Sequence, residues 1–299
     1  MPKHDWKVNH AYQKAISYSQ YSMYSQCQHQ WYLTYVKKHR EFKPSIYLVF
    51  GTAFHETIQH YLQVMFDKSA KAANSIDTTE YLKERMYENY KLAIEDNKGQ
   101  KFIERKEFDE FVQDGVTIMD WIKKNRAKYF NVRNTKLIGV EIPFEHHVVD
   151  EIPNVIMVGS IDLIFYSKNT DTYDIYDVKT STKGWKDSDK KDKLKVSQVL
   201  LYKHFYSKAL NIDQDKISVK FFVVKRRPFI SPDYPTKYVQ EFEPAQGKKK
   251  VKDAVQGVSE FIKNCFTVDA KYIYKEYPKN FDACKWCAFA NNDKLCPKK

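Results

Sequence analysis

Long apolar runs are missing from this sequence of 299 residues. No stretch reaches the ~18–20 consecutive apolar residues of a membrane-spanning helix, so no membrane-embedded function is expected. The opening MPKHDWKVNH has none of the apolar core of a secretory signal, and the expected location is the cytoplasm. Cysteine is scarce, with five in all. In a chain without a secretion signal these read as reduced thiols or metal ligands, not as a disulfide framework. No G-x4-G-K-[ST] phosphate loop occurs, so any nucleotide-driven motor acting with this protein belongs to another chain.

Against these absences stand 42% hydrophobic and 15% aromatic residues, enough for a folded chain with a sizeable core. Lysine and arginine total 50 against 38 acidic residues, a net charge of +12. That balance favours a polyanionic partner. Nucleic acid is expected over a membrane surface, because no Lys-rich amphipathic anchor is visible.

The chemistry concentrates in residues 159–180, GSIDLIFYSKNTDTYDIYDVKT. Two β-type runs, roughly 156–166 and 173–180, flank the turn-forming cluster SKNTDT. Asp162 lies on the first run, Asp177 and Lys179 on the second. Strand residues i and i+2 share a face, so Asp177 and Lys179 project together while Val178 turns inward. If the runs pair as a hairpin, Asp162 comes alongside. Two carboxylates and one ammonium on a sheet suit a hard divalent cation with a positioned water.

Residues 11–38, free of Gly and Pro, read as a helix whose Tyr21, Tyr24, Trp31 and Tyr35 form one stripe around Cys27. A second helix over 50–66 carries Phe54, Ile58, Tyr61, Leu62 and Met65 on its apolar side. His55 sits beside that stripe and reads as structural unless an acidic site elsewhere meets it. Residues 67–131 are polar and helical, an insertion or subdomain with Thr78 or Thr79 as a cap and a break at Asn97-Lys98-Gly99. Val140, Ile142 and Phe144 alternate with Gly139, Glu141 and Pro143 in a strand over 137–149, which leaves Glu141 free to join the acidic site. Pro143 marks an edge or a bulge. After the hairpin, Trp185 lies in a mixed-charge loop, either solvated or available to stack on an unpaired base. A helix over 194–210 puts Gln198 and Tyr202 on one face. A buried strand over 217–227 ends in Lys225, Arg226 and Arg227, which could bind phosphate. A short strand near 237–242 and a helix over 246–264 follow.

The tail carries Cys284, Cys287 and Cys296, three ligands of a metal or cluster site that needs a fourth. Cys27 and Cys265 are the candidates.

Taken in order, these segments resemble a known family. Ser17-x-Ser19-x-Tyr21-x-x-Tyr24-x-x-Cys27-x3-Trp31, Gly51-x3-His55, Glu141, Gly159-x-x-Asp162, Asp177-Val178-Lys179-Thr180, Gln198-x3-Tyr202 and the terminal cysteine triplet are similar to the motifs of RecB-type nucleases of the PD-(D/E)XK superfamily. The likeness is to the iron–sulfur branch that contains the AddB nuclease domain and the CRISPR-adaptation exonucleases. Each motif alone is weak; six in the right order, with Gly159-x-x-Asp162 and Asp177–Thr180 together as one, are specific.

The resemblance implies an α/β (α+β) fold with a restriction-endonuclease-like core, a mixed central sheet flanked by helices. It implies one nuclease domain over 1–299, with 67–131 as a helical insertion and 281–299 as a cysteine-rich tail closing on Cys27. Asp162, Asp177, His55 and the Val178 main-chain carbonyl would hold Mg2+ or Mn2+, with Glu141 completing the site. Lys179 would orient the attacking water, and Gln198 and Tyr202 would contact DNA or buttress the site. Cys27, Cys284, Cys287 and Cys296 would bind a [4Fe–4S] cluster, with tetrahedral Zn2+ as the alternative. The expected activity is exonucleolytic cleavage of single-stranded DNA or DNA ends, with a separate helicase or a recombination or adaptation protein as partner. Recombination, repair, CRISPR adaptation and phage DNA processing are the settings, the last in a host-cell cytoplasm. A structure-specific endonuclease on the same core and a non-catalytic DNA-binding protein with a structural cluster or zinc site are the alternatives.

Overall fold

The structure is a computed structural model that describes residues 14–39 and 43–297; the opening MPKHDWKVNH and the first residues of the expected 11–38 helix lie outside it. In chain order the elements are β1 (Lys14–Ser17), α1 (Tyr18–Gln26), α2 (Gln28–Trp31), α3 (Ile46–Asp67), α4 (Ala70–Asn74), α5 (Thr78–Asp96) and α6 (Arg105–Tyr129). There follow β2 (Thr135–His147), β3 (Val155–Ser167), β4 (Thr172–Ser181), α7 (Asp187–Lys191), α8 (Lys193–Leu210), β5 (Ile217–Lys225), β6 (Val239–Phe242) and α9 (Lys248–Cys265). This is a mixed α/β fold with a mixed sheet flanked by helices. The described residues group into two compact units, one drawn from 14–39, 43, 143–160 and 247–297, the other from 44–142 and 161–246.

In the second unit the sheet runs β3–β4–β5–β6. β3 and β4 form the expected antiparallel hairpin, with Tyr166 opposite Tyr173. β4 lies parallel to β5, Asp177 opposite Phe221 and Lys179 opposite Val223. β5, buried along most of its length, turns back antiparallel into β6. α3 supplies the apolar core: Phe54, Ile58, Tyr61, Leu62 and Met65 are all buried, packed with Leu82, Ile118, Met119, Leu163 and Phe222. Gly115 on α6 lets Leu82 and Phe50 approach, since a Cβ there would stand 2.4 Å from a Leu82 methyl. α5 is capped by Asp77, whose carboxylate accepts the Thr79 and Glu80 amides, not by Thr78 or Thr79. An ionised acceptor at that end also favours the helix dipole.

At the basic end of β5 the two arginines are engaged by acids of α6, and only Arg226 is withdrawn from solvent. Arg226 is buried over the Phe111 ring and paired with Asp114 at 2.5 Å; Arg227 bonds Glu110 at 3.1 Å and Asp114 at 3.4 Å. Asp114→Ala strands a buried guanidinium. Its expected cost in a denaturant titration is about 3 kcal/mol, the low end for a broken buried pair because Asp114 keeps some contact with water. A loss below about 1 kcal/mol would show the pair to be dispensable.

In the first unit β1 pairs in parallel with the start of β3, Lys14 opposite Val155 through Ser17 opposite Val158. The sequence had read these four residues as helix; a strand this short, with a partner so distant in sequence, leaves no local signal. The expected aromatic stripe is present beyond it. Tyr21 and Tyr24 pack on Phe261 of α9, and Trp31 is enclosed edge-on by Tyr24, Phe261, Phe266, Tyr272 and Tyr277. Past Trp31 the helix widens into a π turn over Tyr32–Val36. Among the described residues no helix is long and apolar enough to cross a membrane.

Candidate active site

The second unit holds one constellation of acid, base and cation. On α3, Gly51, His55 and Gln59 form a row at intervals of four, which puts them on one helix face. Gly51 eases the approach of helix and sheet: a Cβ there would lie 3.2 Å from the Thr180 hydroxyl on β4, closer than ordinary contact. His55 Nε2 comes 2.6 Å from the Val178 carbonyl oxygen and 3.4 Å from Asp162 Oδ2; its Nδ1 is 3.9 Å from Glu141. One ligand atom from each of His55, Glu141 and Asp162 fits within a mutual distance of 4.8 Å, close enough to share an ion.

Asp162 is buried on β3, and its Oδ2 accepts the Val178 amide at 2.7 Å, which ties the two strands together at the site. Glu141 on β2 has φ of +48°, a left-handed backbone at a non-glycine residue. Together with nearby Pro143 this breaks the strand's regularity where the carboxylate is aimed, the kind of local strain that persists when other contacts fix it. Gln59, buried, supplies such a contact by donating to Glu141 Oε1 at 2.7 Å. The sequence reading passed over Gln59, although its position one turn after His55 was the available signal.

Asp177 is fully buried and faces Lys179, whose ammonium sits 3.0 Å from Oδ1 and 2.8 Å from Oδ2. It therefore stands beside the three-residue ligand group and is bound to the lysine. From α8, Gln198 donates to the Tyr202 hydroxyl at 2.8 Å. Burial, then the Asp177 and Asp162 carboxylates, hold that phenol well above its usual pKa.

The charges shape each other. Burial and then the neighbouring Asp177 carboxylate push Asp162 up to about 7, against relief from His55, Lys179 and the Val178 amide. Burial alone would make His55 less basic, but Glu141, Asp162, the Val178 carbonyl and Asp177 outweigh it and raise it to about 9. For Lys179 burial is likewise outweighed by Asp177 and Asp162, so its ammonium is held above the usual value. A site this rich in buried negative charge and oxygen donors fits a hard divalent cation.

A pH dependence follows. Asp162 and His55 both titrate higher folded than at their ordinary 3.8 and 6.5. The metal-free fold therefore binds more protons than the unfolded chain from about pH 4 to 9, and loses stability as pH rises across that window. A cation that displaces those protons must bind more tightly over the same range. Calorimetric titration with Mn2+ is expected to give tighter binding at about pH 8 than at about pH 6, with proton release seen as a buffer-dependent enthalpy. Equal affinity at both would contradict these assignments.

In the first unit, Cys27, Cys284, Cys287 and Cys296 line a single pocket with His29, Leu33 and Phe289. Cys27 joins α1 to α2 in extended conformation; its sulfur accepts the Gln30 amide at 3.5 Å and the Asn280 amide at 3.4 Å. Cys287 accepts the Phe289 amide at 3.4 Å. Amides aimed at sulfur suit thiolate ligands. Cys265, the other candidate, is buried at the end of α9, where burial pushes its thiol up to about 12, and does not line the pocket. Trp185 is not presented for stacking: its ring packs on Phe221 and Phe242, and its backbone is bonded both ways to the Gln240 side chain.

Among solved structures, a protein named SSO0001 aligns with 91% of this chain and 93% of its own at 12% identity and a TM-score of 0.33. One described as a putative exonuclease from Eubacterium rectale aligns with 97% of this chain and 92% of its own at 10% identity and a TM-score of 0.49. No curated protein matches. The sequence itself matches the PD-(D/E)XK nuclease superfamily over residues 15–292. Because that match takes in the histidine helix, the Asp162–Lys179 hairpin, Cys284 and Cys287 in one continuous span, the relationship is one of family: the chain belongs to the PD-(D/E)XK nuclease superfamily.

Proposed function

We propose that this nuclease is a Mg2+- or Mn2+-dependent DNA exonuclease of the RecB type, acting on single strands or DNA ends, with a structural [4Fe–4S] cluster. The observation that carries the metal-dependent activity is the convergence of His55, Glu141 and Asp162 within 4.8 Å, next to the Asp177–Lys179 pair. Those three residues, Asp177 and the Val178 carbonyl are the ligand set. Oxygen donors favour Mg2+, and the imidazole makes the site suitable for Mn2+ as well. A bound divalent ion supplies Lewis-acid polarisation of the phosphoryl oxygen and a more acidic water.

The chain's own groups do the rest. The Lys179 ammonium, held protonated between buried carboxylates, acts as a fixed positive charge and donor toward the attacking water and the charge growing on phosphorus. Its raised pKa makes it a poor base, so it is a stabilising group and not the proton acceptor. Asp177 keeps that ammonium in place. Gln59 and the Val178 amide hold Glu141 and Asp162 in position, and Tyr202 with Gln198 closes the site from α8. Water attacks phosphorus, the bond to the leaving oxygen breaks, and that oxygen leaves carrying a proton.

The four cysteines, on both sides of the first unit's sequence, would brace its ends through a [4Fe–4S] cluster; the pocket they line and the amides at two of the sulfurs support this reading. Iron and sulfide at cluster stoichiometry in anaerobically purified protein, with a broad visible absorption, are expected. Zinc without iron would replace the cluster with a tetrahedral site. DNA is the partner, with a separate helicase or a recombination or adaptation protein feeding it. The direct test compares end-labelled linear and circular single-stranded DNA. An exonuclease degrades the linear form and leaves the circle intact; loss of the circle would mean an endonuclease.

A further inference from the structure

The connection between β5 and β6 runs from Arg226 to Tyr238, far longer than the roughly 2–5 residues of ordinary hairpin loops. Its sequence, RRPFISPDYPTKY, presents Phe229, Ile230 and Tyr234 to solvent, 86%, 72% and 74% exposed. Solitary exposed apolar residues are ordinary, but three bulky ones on one loop are not. Two features keep this loop in place. Its root is fastened to α6 by the Arg226–Asp114 and Arg227–Glu110 pairs. Three prolines, Pro228, Pro232 and Pro235, restrict its backbone and lower the entropy lost when something docks.

The loop also stands at a particular place. The Arg226 amide donates to the Ser181 carbonyl at 2.8 Å and the Arg227 amide to Thr182 at 2.7 Å, so the ladder between β4 and β5 continues to the loop's root. Thr182 is three residues beyond Lys179, about 10 Å along the strand at ~3.3 Å per residue. Around that end lie Lys183, Lys186, Lys225 and Lys237, and the loop's one acid is Asp233. Of the acids in the adjoining segment, Asp187 pairs with Lys190 and Asp189 with Lys195, while Asp192 caps α8 by accepting the Leu194 and Lys195 amides. Burial and then the Lys237 ammonium lower the Lys225 pKa, a crowding of like charge that an anion relieves.

From this juxtaposition we infer that residues 228–236 form a base-stacking grip: Phe229 and Tyr234 stack on bases of a single-stranded nucleic acid while Lys225 and Lys237 meet its phosphates, next to the site that cuts it. Aromatic rings accept any base, so the grip selects for unpaired strands without selecting sequence. Trp185, half-buried against Phe221 and Phe242, is less open to such stacking than these rings. The inference rests on the nucleic-acid-cleaving function proposed above and names how the substrate is held.

The test measures binding, without metal and with chelator, of the full-length protein to oligo(dT) and to an abasic oligonucleotide of equal length. Wild type is expected to prefer oligo(dT). The Phe229→Ala/Tyr234→Ala double variant, altered only at exposed positions, is expected to bind oligo(dT) at least about 30-fold more weakly, as two lost stacks require, and to lose the preference over abasic DNA. Phe229→Trp/Tyr234→Phe should restore both, with the introduced tryptophan quenched on binding. A double variant that binds oligo(dT) like wild type overturns the grip alone. So does one whose only loss is adsorption to phosphatidylcholine/phosphatidylglycerol vesicles, which would make the loop a membrane contact. Wild type that binds neither oligonucleotide overturns the grip together with the function on which it rests.

Discussion

Asp162→Asn is expected to abolish hydrolysis, lowering kcat/KM by about 10³-fold or more, while leaving the protein folded. Asparagine keeps the shape and can still accept the Val178 amide, a contact of 2.7 Å in the native chain. What it removes is the anionic oxygen that stands with His55 and Glu141 in the ligand group. Loss of a divalent ion's charge stabilisation is worth several kcal/mol, and about 4 kcal/mol corresponds to roughly 10³ in rate. The same substitution should not harm stability. Burial and the Asp177 charge push Asp162 up to about 7, so near pH 8 its ionised form burdens the metal-free fold. The metal-free variant is expected to melt at the same temperature as wild type or higher, and to lose the rise in Tm that Mn2+ gives wild type. Activity within tenfold of wild type would remove Asp162 from the ligand set.

Lys179→Ala carries the second large effect. Removing a preorganised donor from a charge-stabilising position costs about 10²–10³ in kcat. Binding of DNA without metal should change by no more than a few fold, because one phosphate contact at most is lost. Lys179→Arg should recover little, since the planar guanidinium cannot occupy the ammonium's place between Asp177 and the site. Asp177 complicates the variant: fully buried, it loses the ammonium that contacts both of its oxygens, and the metal-free Lys179→Ala protein should be less stable than wild type. Excess Mn2+ should restore stability but not the rate. Rescue of the rate by metal alone would show that Lys179 serves only to neutralise Asp177.

Much of this site could be read before the fold was known, for reasons that differ by residue. The hairpin was legible because its two strands alternate cleanly and the polar cluster between them can only turn; the observed strands extend one residue beyond the expected runs at each end. His55 could be placed on a helix but not judged, since one histidine beside an apolar stripe says nothing of what faces it. The three residues of the ligand group come from α3, β2 and β3, and they meet only because β2 pairs with β3 and α3 packs on the sheet beside Val178. Gln59 shares a helix face with His55, but a glutamine at that spacing names no partner until Glu141 stands opposite it. The ion pairs of Arg226 and Arg227 were not legible because their partners, Glu110 and Asp114, lie on a helix more than a hundred residues earlier. The packing of Trp185 was hidden for the same reason: its loop is largely exposed, and the Phe221 and Phe242 rings beside it belong to strands later in the chain. Local pattern carried the elements; pairing between distant segments decided which charged and aromatic groups were left for chemistry.

The most direct test of the central claim, that the hairpin and the histidine helix form a metal-dependent cleavage site, is a time course of purified wild-type protein on end-labelled linear single-stranded DNA with Mg2+, with Mn2+ and with chelator. Hydrolysis that requires the metal, and that disappears in Asp162→Asn, is the predicted result. Wild-type protein that cuts nothing with either ion, or that cuts equally well in chelator, would contradict it.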